Sequence, residues 1–244
     1  MIAEKKYTIL VDYDNLEKNQ ELGEEESISA ISYLLNLLEN SSDFFDGINA
    51  LGRVDVFLYG GWYCEGNWTR KAQKISSTLS NSYPFLYTLQ SGIKINVFTQ
   101  LSFGLMCLPG RAFKGTFRRY PAKYRVANKY RCCNKSKPCV DFIRHLEENN
   151  QCMYCYSDQS DLLFCDSQKM IDTMICCDIL HLSQQHENMI VVVTSDDDLL
   201  PPLFQNCLNN ANIYHVLTRD KADKYFDRFY SAMAPGNYKQ IAWK

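Results

Sequence analysis

Residues 189–204 have the sequence MIVVVTSDDDLLPPLF, in which a β-branched run leads into three consecutive carboxylates and then into an apolar segment with two prolines. The β-branched run predicts a buried strand over 189–195, and the apolar segment predicts a helix over 199–210. A further strand is predicted over ANIYHVLT, residues 211–218. This strand–helix–strand unit is typical of a parallel sheet that is covered by helices.

The same alternation extends along the rest of the chain. The other predicted elements are strands over 7–13, 53–60 and 95–102 and helices over 27–40, 67–79, 167–185 and 220–233. Ser167 is the expected N-cap of its helix. The block 103–166 breaks the alternation with basic residues and cysteines, and we interpret it as an insertion. We therefore predict an α/β fold in one domain of residues 1–244, with a doubly wound, mostly parallel sheet of about five strands flanked by helices.

Composition limits the classes of partner. The chain has 244 residues, a hydrophobic fraction of 46% and a formal net charge of −2. These values are typical of a globular protein whose electrostatic recognition must be local. The sequence contains neither a signal-peptide pattern nor an apolar stretch near the ~18–20 residues of a membrane span. We therefore expect a cytoplasmic protein without a membrane partner, whose eleven cysteines are reduced thiols or metal ligands.

Acidic residues follow two of the predicted strands. Asp12 and Asp14 close the first strand, and Asp196, Asp197 and Asp198 follow the strand over 189–195. Sites in a doubly wound sheet form beyond the carboxyl ends of strands, where the strand order reverses. The two acidic groups therefore converge if these strands are neighbours. An extended chain would direct Asp196 and Asp198 to one side and Asp197 to the other.

Asp172, on the polar side of the first turn of the helix over 167–185, is placed to join these acids. Asp12, Asp172, Asp196 and Asp198 are then a set of oxygen ligands that suits Mg²⁺ or Mn²⁺. Such an ion supports hydrolysis at phosphorus. The alternative is that the acidic run only caps the next helix, with Asp198 as the N-cap.

Three segments occur in an order that carries a resemblance. They are ILVDYDNL (9–16), KMIDTMICCDIL (169–180) and VVVTSDDDLLP (191–201). They resemble three motifs of the NYN branch of the PIN-like nucleases: a strand running into Asp-x-x-Asn, a Lys-x-Val-Asp helix with a second Asp six residues on, and a strand ending Ser-Gly-Asp-x-Asp-Phe-x-x-Pro. The chain departs from that pattern with Thr194-Ser195 in place of Ser-Gly and Leu199 in place of the aromatic residue.

The resemblance implies a metal-dependent endoribonuclease with a PIN-like fold. The resemblance assigns metal binding to Asp12, Asp172, Asp196 and Asp198. It assigns ordering of the active-site loop to Asn15. It implies that four further residues support the metal ligands from beside them: Asp14, Thr194, Ser195 and Asp178. For Asp178 a purely structural role is the alternative, because six residues past Asp172 lies well round the helix.

A one-sided basic segment occupies residues 111–137. It contains ten Lys or Arg residues and no acidic residue, with aromatic residues interleaved. Lys and Arg contact phosphates and aromatic faces stack on unpaired bases, so the segment predicts RNA binding. The alternative is a solvated loop whose aromatic side chains pack on the sheet. The expected nucleic-acid contacts are Arg111, Lys114, Arg118, Arg119, Lys123, Arg125 and Lys169.

Cys152 and Cys155 have the two-residue gap of a zinc knuckle. We predict a structural Zn²⁺ that also takes Cys132 and Cys139, with Cys133 or Cys165 as alternates and His145 as a weaker candidate. Many bacterial members of the NYN branch carry a Cys-x-x-Cys just before the Lys-x-Val-Asp helix. The alternative is free thiols, and buried thiols within strands or helices are expected at Cys64, Cys107, Cys176, Cys177 and Cys207.

Two other functions stay open. One is a non-cleaving RNA-binding or regulatory module on the same fold. The other is a Toprim-like magnesium enzyme acting on phosphates, a family that has a Glu after its first strand where this chain has Asp12. The sequence decides neither between RNA and DNA nor whether a protein regulator or self-association is involved. The motif YGGWY (59–63) is expected to be a turn with a packed aromatic residue, the alternative being that Trp62 or Tyr63 lines the cleft.

Overall fold

A computed structural model of the chain describes residues 6–20, 27–49, 52–126, 148–149, 163–168, 170–185, 188–209, 211–218 and 236–243. The chain divides into two compact units. The larger unit comprises residues 1–116 and 169–244, and the smaller unit comprises residues 117–168. Residues 103–116, at the start of the predicted insertion, belong to the larger unit.

The larger unit is built on a seven-stranded sheet. Its strands are β1 (Lys6–Asp12), β2 (Arg53–Tyr59), β5 (Phe85–Thr88), β6 (Lys94–Leu101), β9 (Asn188–Val193), β10 (Asn212–Leu217) and β11 (Tyr238–Ala242). They lie in the order β11-β10-β9-β1-β2-β6-β5. Every neighbouring pair is parallel except β5 and β6. A short antiparallel hairpin of β3 (Tyr63–Cys64) and β4 (Asn67–Trp68) follows β2.

Five helices accompany the strands among the described residues. They are α1 (Tyr13–Gln20), α2 (Ser27–Ser41), α3 (Arg70–Ser82), α4 (Ile171–Ser183) and α5 (Leu200–Leu208). Thr69 caps α3, because its side chain accepts a hydrogen bond from the Ala72 N–H. None of these helices is both long and apolar enough to cross a membrane.

Alternating side chains of the buried strands form two cores, one on each face of the sheet. Ile9 and Val11 of β1 belong to the core on the α2 and α3 face, whereas Leu10 belongs to the core on the α4 and α5 face. Because successive residues of a strand point to opposite faces, Asp12 is directed to the same face as Leu10. That face carries Ile171 and Ile175 of α4.

The strand order reverses at the boundary between β1 and β9. From β1 the chain proceeds to β2 and β6 on one side, and from β9 it proceeds to β10 and β11 on the other. The two strands that carry the acids are neighbours, which is the condition for their acids to converge. Ligand sites of open parallel sheets form at the carboxyl ends of strands at such a boundary.

The smaller unit contains an antiparallel pair of strands, β7 (Phe117–Val126) and β8 (Leu163–Gln168). The pairing joins Phe117 to Gln168 and continues to Pro121 opposite Phe164. A register shift follows between Pro121 and Val126. Residues 117–126 of the basic segment therefore form a strand and not the solvated loop that was the alternative to nucleic-acid binding.

The predicted fold class is confirmed, since the protein has an α/β fold with a mostly parallel sheet flanked by helices. The sheet has seven strands rather than five, because the short edge strands β5 and β11 carry no strong apolar alternation. The prediction that Ser167 caps α4 is wrong, since Ser167 lies in β8 and the helix begins after Met170. The predicted helix over 220–233 lies outside the described residues.

Candidate functional site

Asp12 is the buried member of the acidic group at the carboxyl edge of β1. Its side chain is only 4% exposed. One carboxylate oxygen accepts a hydrogen bond from the Asn15 N–H at 3.2 Å, and the other accepts one from the Thr194 hydroxyl at 3.2 Å. Burial raises the pKa of Asp12 to about 7, and the negative charges of Asp172 and Asp14 act in the same direction. The two hydrogen bonds lower this pKa but do not offset the loss of solvation.

Asp172 lies in the first turn of α4, where the helix dipole favours a carboxylate. The Asp172 side chain is exposed. Its pKa is nevertheless raised, first by partial desolvation and then by the negative charges of Asp196 and Asp198. Asp12 is in turn affected by Asp172. Electrostatic coupling therefore links all four acids that the sequence singled out, which come from β1, α4 and the loop after β9.

The acidic run itself has a different conformation from the extended one that was expected. The expectation is wrong because β9 ends at Val193 and Asp197–Leu199 form a single turn of 3-10 helix. Asp196 is the N-cap of this turn, and its carboxylate accepts a hydrogen bond from the Asp198 N–H at 3.0 Å. Asp198 is not the N-cap of α5, a position that Leu199 occupies. Asp196 therefore both caps this turn and belongs to the acidic group.

Thr194 connects the ends of β1 and β9. Its hydroxyl donates to Asp12 and accepts from the Asp196 N–H at 3.1 Å. Its carbonyl oxygen lies 3.1 Å from Nε2 of His215, whose Nδ1 is 2.6 Å from the Tyr238 hydroxyl. Thr194 and His215 are almost fully buried. The backbone that presents Asp196 is therefore held by neighbouring strands.

Asn15 and Ser195 join a second network at the same edge. The Asn15 side-chain oxygen accepts hydrogen bonds from the Ser195 N–H at 3.2 Å and from the Thr218 hydroxyl at 3.0 Å. The Ser195 hydroxyl accepts from the Thr218 N–H at 2.8 Å. These contacts tie the start of α1 to the loop after β9. His215 and Thr218 were not identified from the sequence, although Thr218 directly follows the end of a strand that is parallel to β9.

Asp14 supports the site from the other side of β1. It forms a short ion pair with Lys71 of α3 and accepts a hydrogen bond from the Gly61 N–H at 2.8 Å. The Lys71 ammonium lies 5.0 Å from the centre of the Tyr13 ring. Asp14 therefore anchors the loop after β2 to the start of α1. Lys71 was not identified from the sequence, because it is 57 residues away along the chain.

The loop after β2 is a tight turn around a buried aromatic residue. Trp62 is fully buried, and its indole N–H donates to the Leu58 carbonyl at 2.9 Å. A Cβ atom at Gly60 would lie 2.7 Å from the Trp62 ring, so the close approach requires glycine. The expectation of a turn with a packed aromatic residue is confirmed for Trp62.

Asp178 faces a different part of the molecule from Asp172. It is fully buried and accepts hydrogen bonds from the Tyr59 hydroxyl at 2.7 Å and from the Met106 N–H at 2.8 Å. Six residues correspond to about 240° round a helix, which explains the separate environment. Asp178 therefore joins α4 to the end of β2 and to the loop after β6.

The chemistry of the donor set fits Mg²⁺ or Mn²⁺. Carboxylates from three elements lie at this edge, and the pKa values of Asp12 and Asp172 are raised first by desolvation and then by the negative charge of neighbouring acids. As the side chains stand, no group of three or more His, Cys, Asp or Glu residues within the described ranges is arranged to hold a metal ion. Coordination would therefore require side-chain rearrangement at this edge.

Comparison with known proteins adds no family to this geometry. No family profile, curated protein or solved structure matches the chain. The resemblance to the NYN branch therefore stays a prediction that depends on the acidic motifs themselves.

The basic candidates are divided between the two units. Arg111 and Lys114 are exposed in the larger unit, and Arg118 is exposed on β7 of the smaller unit. Strand β7 also contains Arg119, Lys123 and Arg125. Lys169 lies outside the described residues.

The predicted zinc ligands lie almost entirely outside the described residues. Those outside are Cys132, Cys133, Cys139, Cys152 and Cys155, together with the weaker candidate His145. Cys165 belongs to strand β8. The other five cysteines are free thiols. The expectation that all five are buried in strands or helices holds only for Cys207. Cys64, Cys176 and Cys177 are half-buried, and Cys107 is exposed in the loop after β6.

Proposed function

We propose that this protein is a metal-dependent endoribonuclease of the PIN-like type, related to the NYN branch. The observation that supports the proposal best is that Thr194 holds Asp12 and the Asp196 main chain together where the strand order reverses, with Asp172 and Asp198 close enough to add to the electrostatics of the group. Uncompensated acids destabilise a folded protein, so a group of this kind is typical of a site that binds a cation. The three motifs that resemble the NYN branch carry the same four residues.

In this proposal Asp12, Asp172, Asp196 and Asp198 hold Mg²⁺ or Mn²⁺. When bound there, the ion would lower the pKa of water and stabilise negative charge on a phosphoryl oxygen. The reaction is hydrolysis: an oxygen of water loses a proton and forms a bond to phosphorus, while the bond from phosphorus to one ribose oxygen breaks and that oxygen takes up a proton. Thr194 and Asn15 orient Asp12, and the N-cap contact orients Asp196.

The unit that holds the acids also exposes positive charge, which suits an anionic substrate. Arg111 and Lys114 are exposed in the same unit as the acids. Cationic side chains are needed beside a carboxylate group, because acids alone would repel phosphates. These residues support an extended nucleic-acid substrate over a small phosphate ester.

The test is cleavage of labelled single-stranded RNA and of DNA of the same sequence by the purified full chain. Reactions contain Mg²⁺, Mn²⁺ or no added metal. We expect metal-dependent cleavage of the RNA, and loss of that cleavage in Asp12→Asn and Asp172→Asn. Asp46→Asn is the matched control, because Asp46 is an exposed acid before β2, at the opposite edge of the sheet. RNA that is bound but never cut would identify a non-cleaving module instead.

A further inference from the structure

Three aromatic side chains form a cluster beyond the ends of β2 and β6. Trp68 stacks on Phe103 with ring centres 4.9 Å apart and an interplanar angle of 28°. Tyr63 packs edge-on against Phe103 at 5.4 Å, and its hydroxyl accepts a hydrogen bond from the Trp68 indole N–H at 2.8 Å. The polar atom of the indole is therefore paired within the cluster. Trp68 nevertheless remains 38% exposed.

This aromatic cluster (Tyr63, Trp68 and Phe103) lies at the same edge of the sheet as the acids. Phe103 follows the carboxyl end of β6, and Tyr63 follows that of β2. The Gly61 N–H, two residues before Tyr63, donates to Asp14, two residues after Asp12. Neighbouring strands are about 4.8 Å apart, so β6 lies about 10 Å from β1. That separation is comparable to one or two nucleotides of a single strand.

Two exposed cations are fixed beside the aromatic cluster through their main chains. The Lys114 carbonyl accepts a hydrogen bond from the Gly66 N–H, in the turn of the hairpin that carries Trp68, at 3.1 Å. The Arg111 carbonyl packs directly on Gly104, where a Cβ atom would lie only 1.9 Å from it. Within the described part of the chain neither side chain takes part in an ion pair. Both are therefore suited to contact phosphates.

A cleft continues from the cluster. It has a volume of about 530 Å³ and is lined by Phe103, Arg111, Phe57 and Met106, among others. This volume is within the range of ligand-binding clefts. Phe103 is therefore shared by the aromatic cluster and the cleft.

We propose that the aromatic cluster stacks an unpaired base of a single-stranded RNA substrate while Arg111 and Lys114 contact the adjoining phosphates. The inference deepens the proposed ribonuclease function and rests on it. A flat aromatic face beside cations is the arrangement that binds single strands without a strong sequence preference. A duplex is excluded by the same chemistry, because its bases already stack on one another.

The test measures binding, without added divalent cation, of a fluorescein-labelled 12-nucleotide oligo(rA) that is shown by gel to remain intact. Trp68 is the most exposed of the three tryptophans, the other two being 0% and 8% exposed. We therefore expect oligo(rA) to quench the intrinsic fluorescence of the wild-type protein. Trp68→Phe should lose most of this quenching but keep the affinity, because phenylalanine can still stack.

Trp68→Ala and Phe103→Ala should weaken binding of oligo(rA) by about 5- to 150-fold, the range for loss of one stacked base. Tyr33→Ala is the matched control, since Tyr33 has the same exposed fraction of 38% and also packs on an aromatic ring, that of Trp243. Circular dichroism confirms that each variant is folded. A 12-base-pair RNA duplex should neither quench Trp68 nor respond to these substitutions.

Unchanged affinity of both alanine variants, or equal quenching by the duplex, would overturn the proposal. Binding and cleavage separate the two hypotheses. Stacking without any metal-dependent cleavage retains the aromatic subsite and rejects the nuclease. Cleavage that is insensitive to Trp68→Ala and Phe103→Ala retains the nuclease and rejects the subsite, and it would leave the cluster as a surface for a protein partner.

Discussion

The Thr194 hydroxyl donates a hydrogen bond to Asp12 across the boundary between β9 and β1, with a distance of 3.2 Å. The same hydroxyl accepts a hydrogen bond from the Asp196 N–H. One small side chain therefore orients two of the four acids, although Thr194 and Asp12 are 182 residues apart in the sequence.

Thr194→Val tests this connection. Valine has nearly the same shape but neither donates nor accepts, so the Asp196 N–H and one oxygen of Asp12 lose their partner. We expect a loss of about 1–3 kcal/mol in the free energy of unfolding, measured by urea denaturation. Thr194→Ser keeps the hydroxyl and should retain most of the stability. Equal stability of Thr194→Val and the wild type would mean that the hydroxyl does not orient these groups.

Asp12 should make the metal-free protein less stable as the pH rises. Its pKa is about 7 in the folded state against an ordinary value of 3.8. Between these values the folded state binds more protons than the unfolded state, so the free energy of unfolding falls from about pH 4 to about pH 7. The decline for this group is on the order of 4 kcal/mol. Asp12→Asn should remove it, measured as the difference between urea denaturation curves at pH 5 and pH 8.

A bound divalent cation should reverse this effect in the wild-type protein. At pH 8 we expect Mg²⁺ or Mn²⁺ to raise the melting temperature of the wild type more than that of Asp12→Asn, because binding to the folded state stabilises it. The same increase in both proteins would argue against Asp12 as a ligand.

Three single substitutions separate the roles in the acidic run. Asp196→Asn and Asp198→Asn should each lower metal-dependent cleavage by about two orders of magnitude or more, the scale for loss of one group that stabilises charge. Asp197→Asn should keep most of the activity. Because asparagine caps as well as aspartate, Asp196→Asn should remain folded. Near-wild-type cleavage by all three variants would reduce the run to a capped turn.

Asp178 should contribute to stability and not to metal binding. Asp178→Ala leaves the Tyr59 hydroxyl and the Met106 N–H without their buried acceptor. We expect a loss of about 3 kcal/mol in the free energy of unfolding, whereas Asp178→Asn, which keeps one acceptor oxygen, should lose less. Isothermal titration with Mn²⁺ should give the same affinity for Asp178→Asn as for the wild type. A weaker affinity would place Asp178 in the metal site.

The zinc prediction is tested by elemental analysis of protein purified without chelators. We expect one Zn²⁺ per chain, lost together with stability in Cys152→Ser and Cys155→Ser, because metal binding contributes to the free energy of folding. Cys107→Ser is the matched control, since Cys107 is an exposed thiol in the loop after β6. Wild-type protein without zinc would reject the site.

Local pattern was enough to predict the fold class and the positions of the acids. The β-branched run over 189–195 and the apolar run over 7–13 predicted the two central strands to within one or two residues. Their acids had to follow the strand ends, because charged residues are excluded from a strand that is buried on both faces. The edge strands β5 and β11 were missed, since an edge strand is only half covered and its sequence lacks a continuous apolar run.

The sequence by itself therefore determined the five inner strands of the sheet and that Asp12 and Asp196 lie at or just beyond strand ends. Tertiary structure alone decided the partners: Asp14 with Lys71, Asp178 with Tyr59 and Met106, and Trp68 with Phe103. It also decided that Asp12 has a pKa near 7 and that Asp196 caps a turn. The physical reason is the distance along the chain over which each property is set. The periodicity of side chains reports whether a residue is buried, whereas the identity of its neighbour depends on the order in which distant strands assemble.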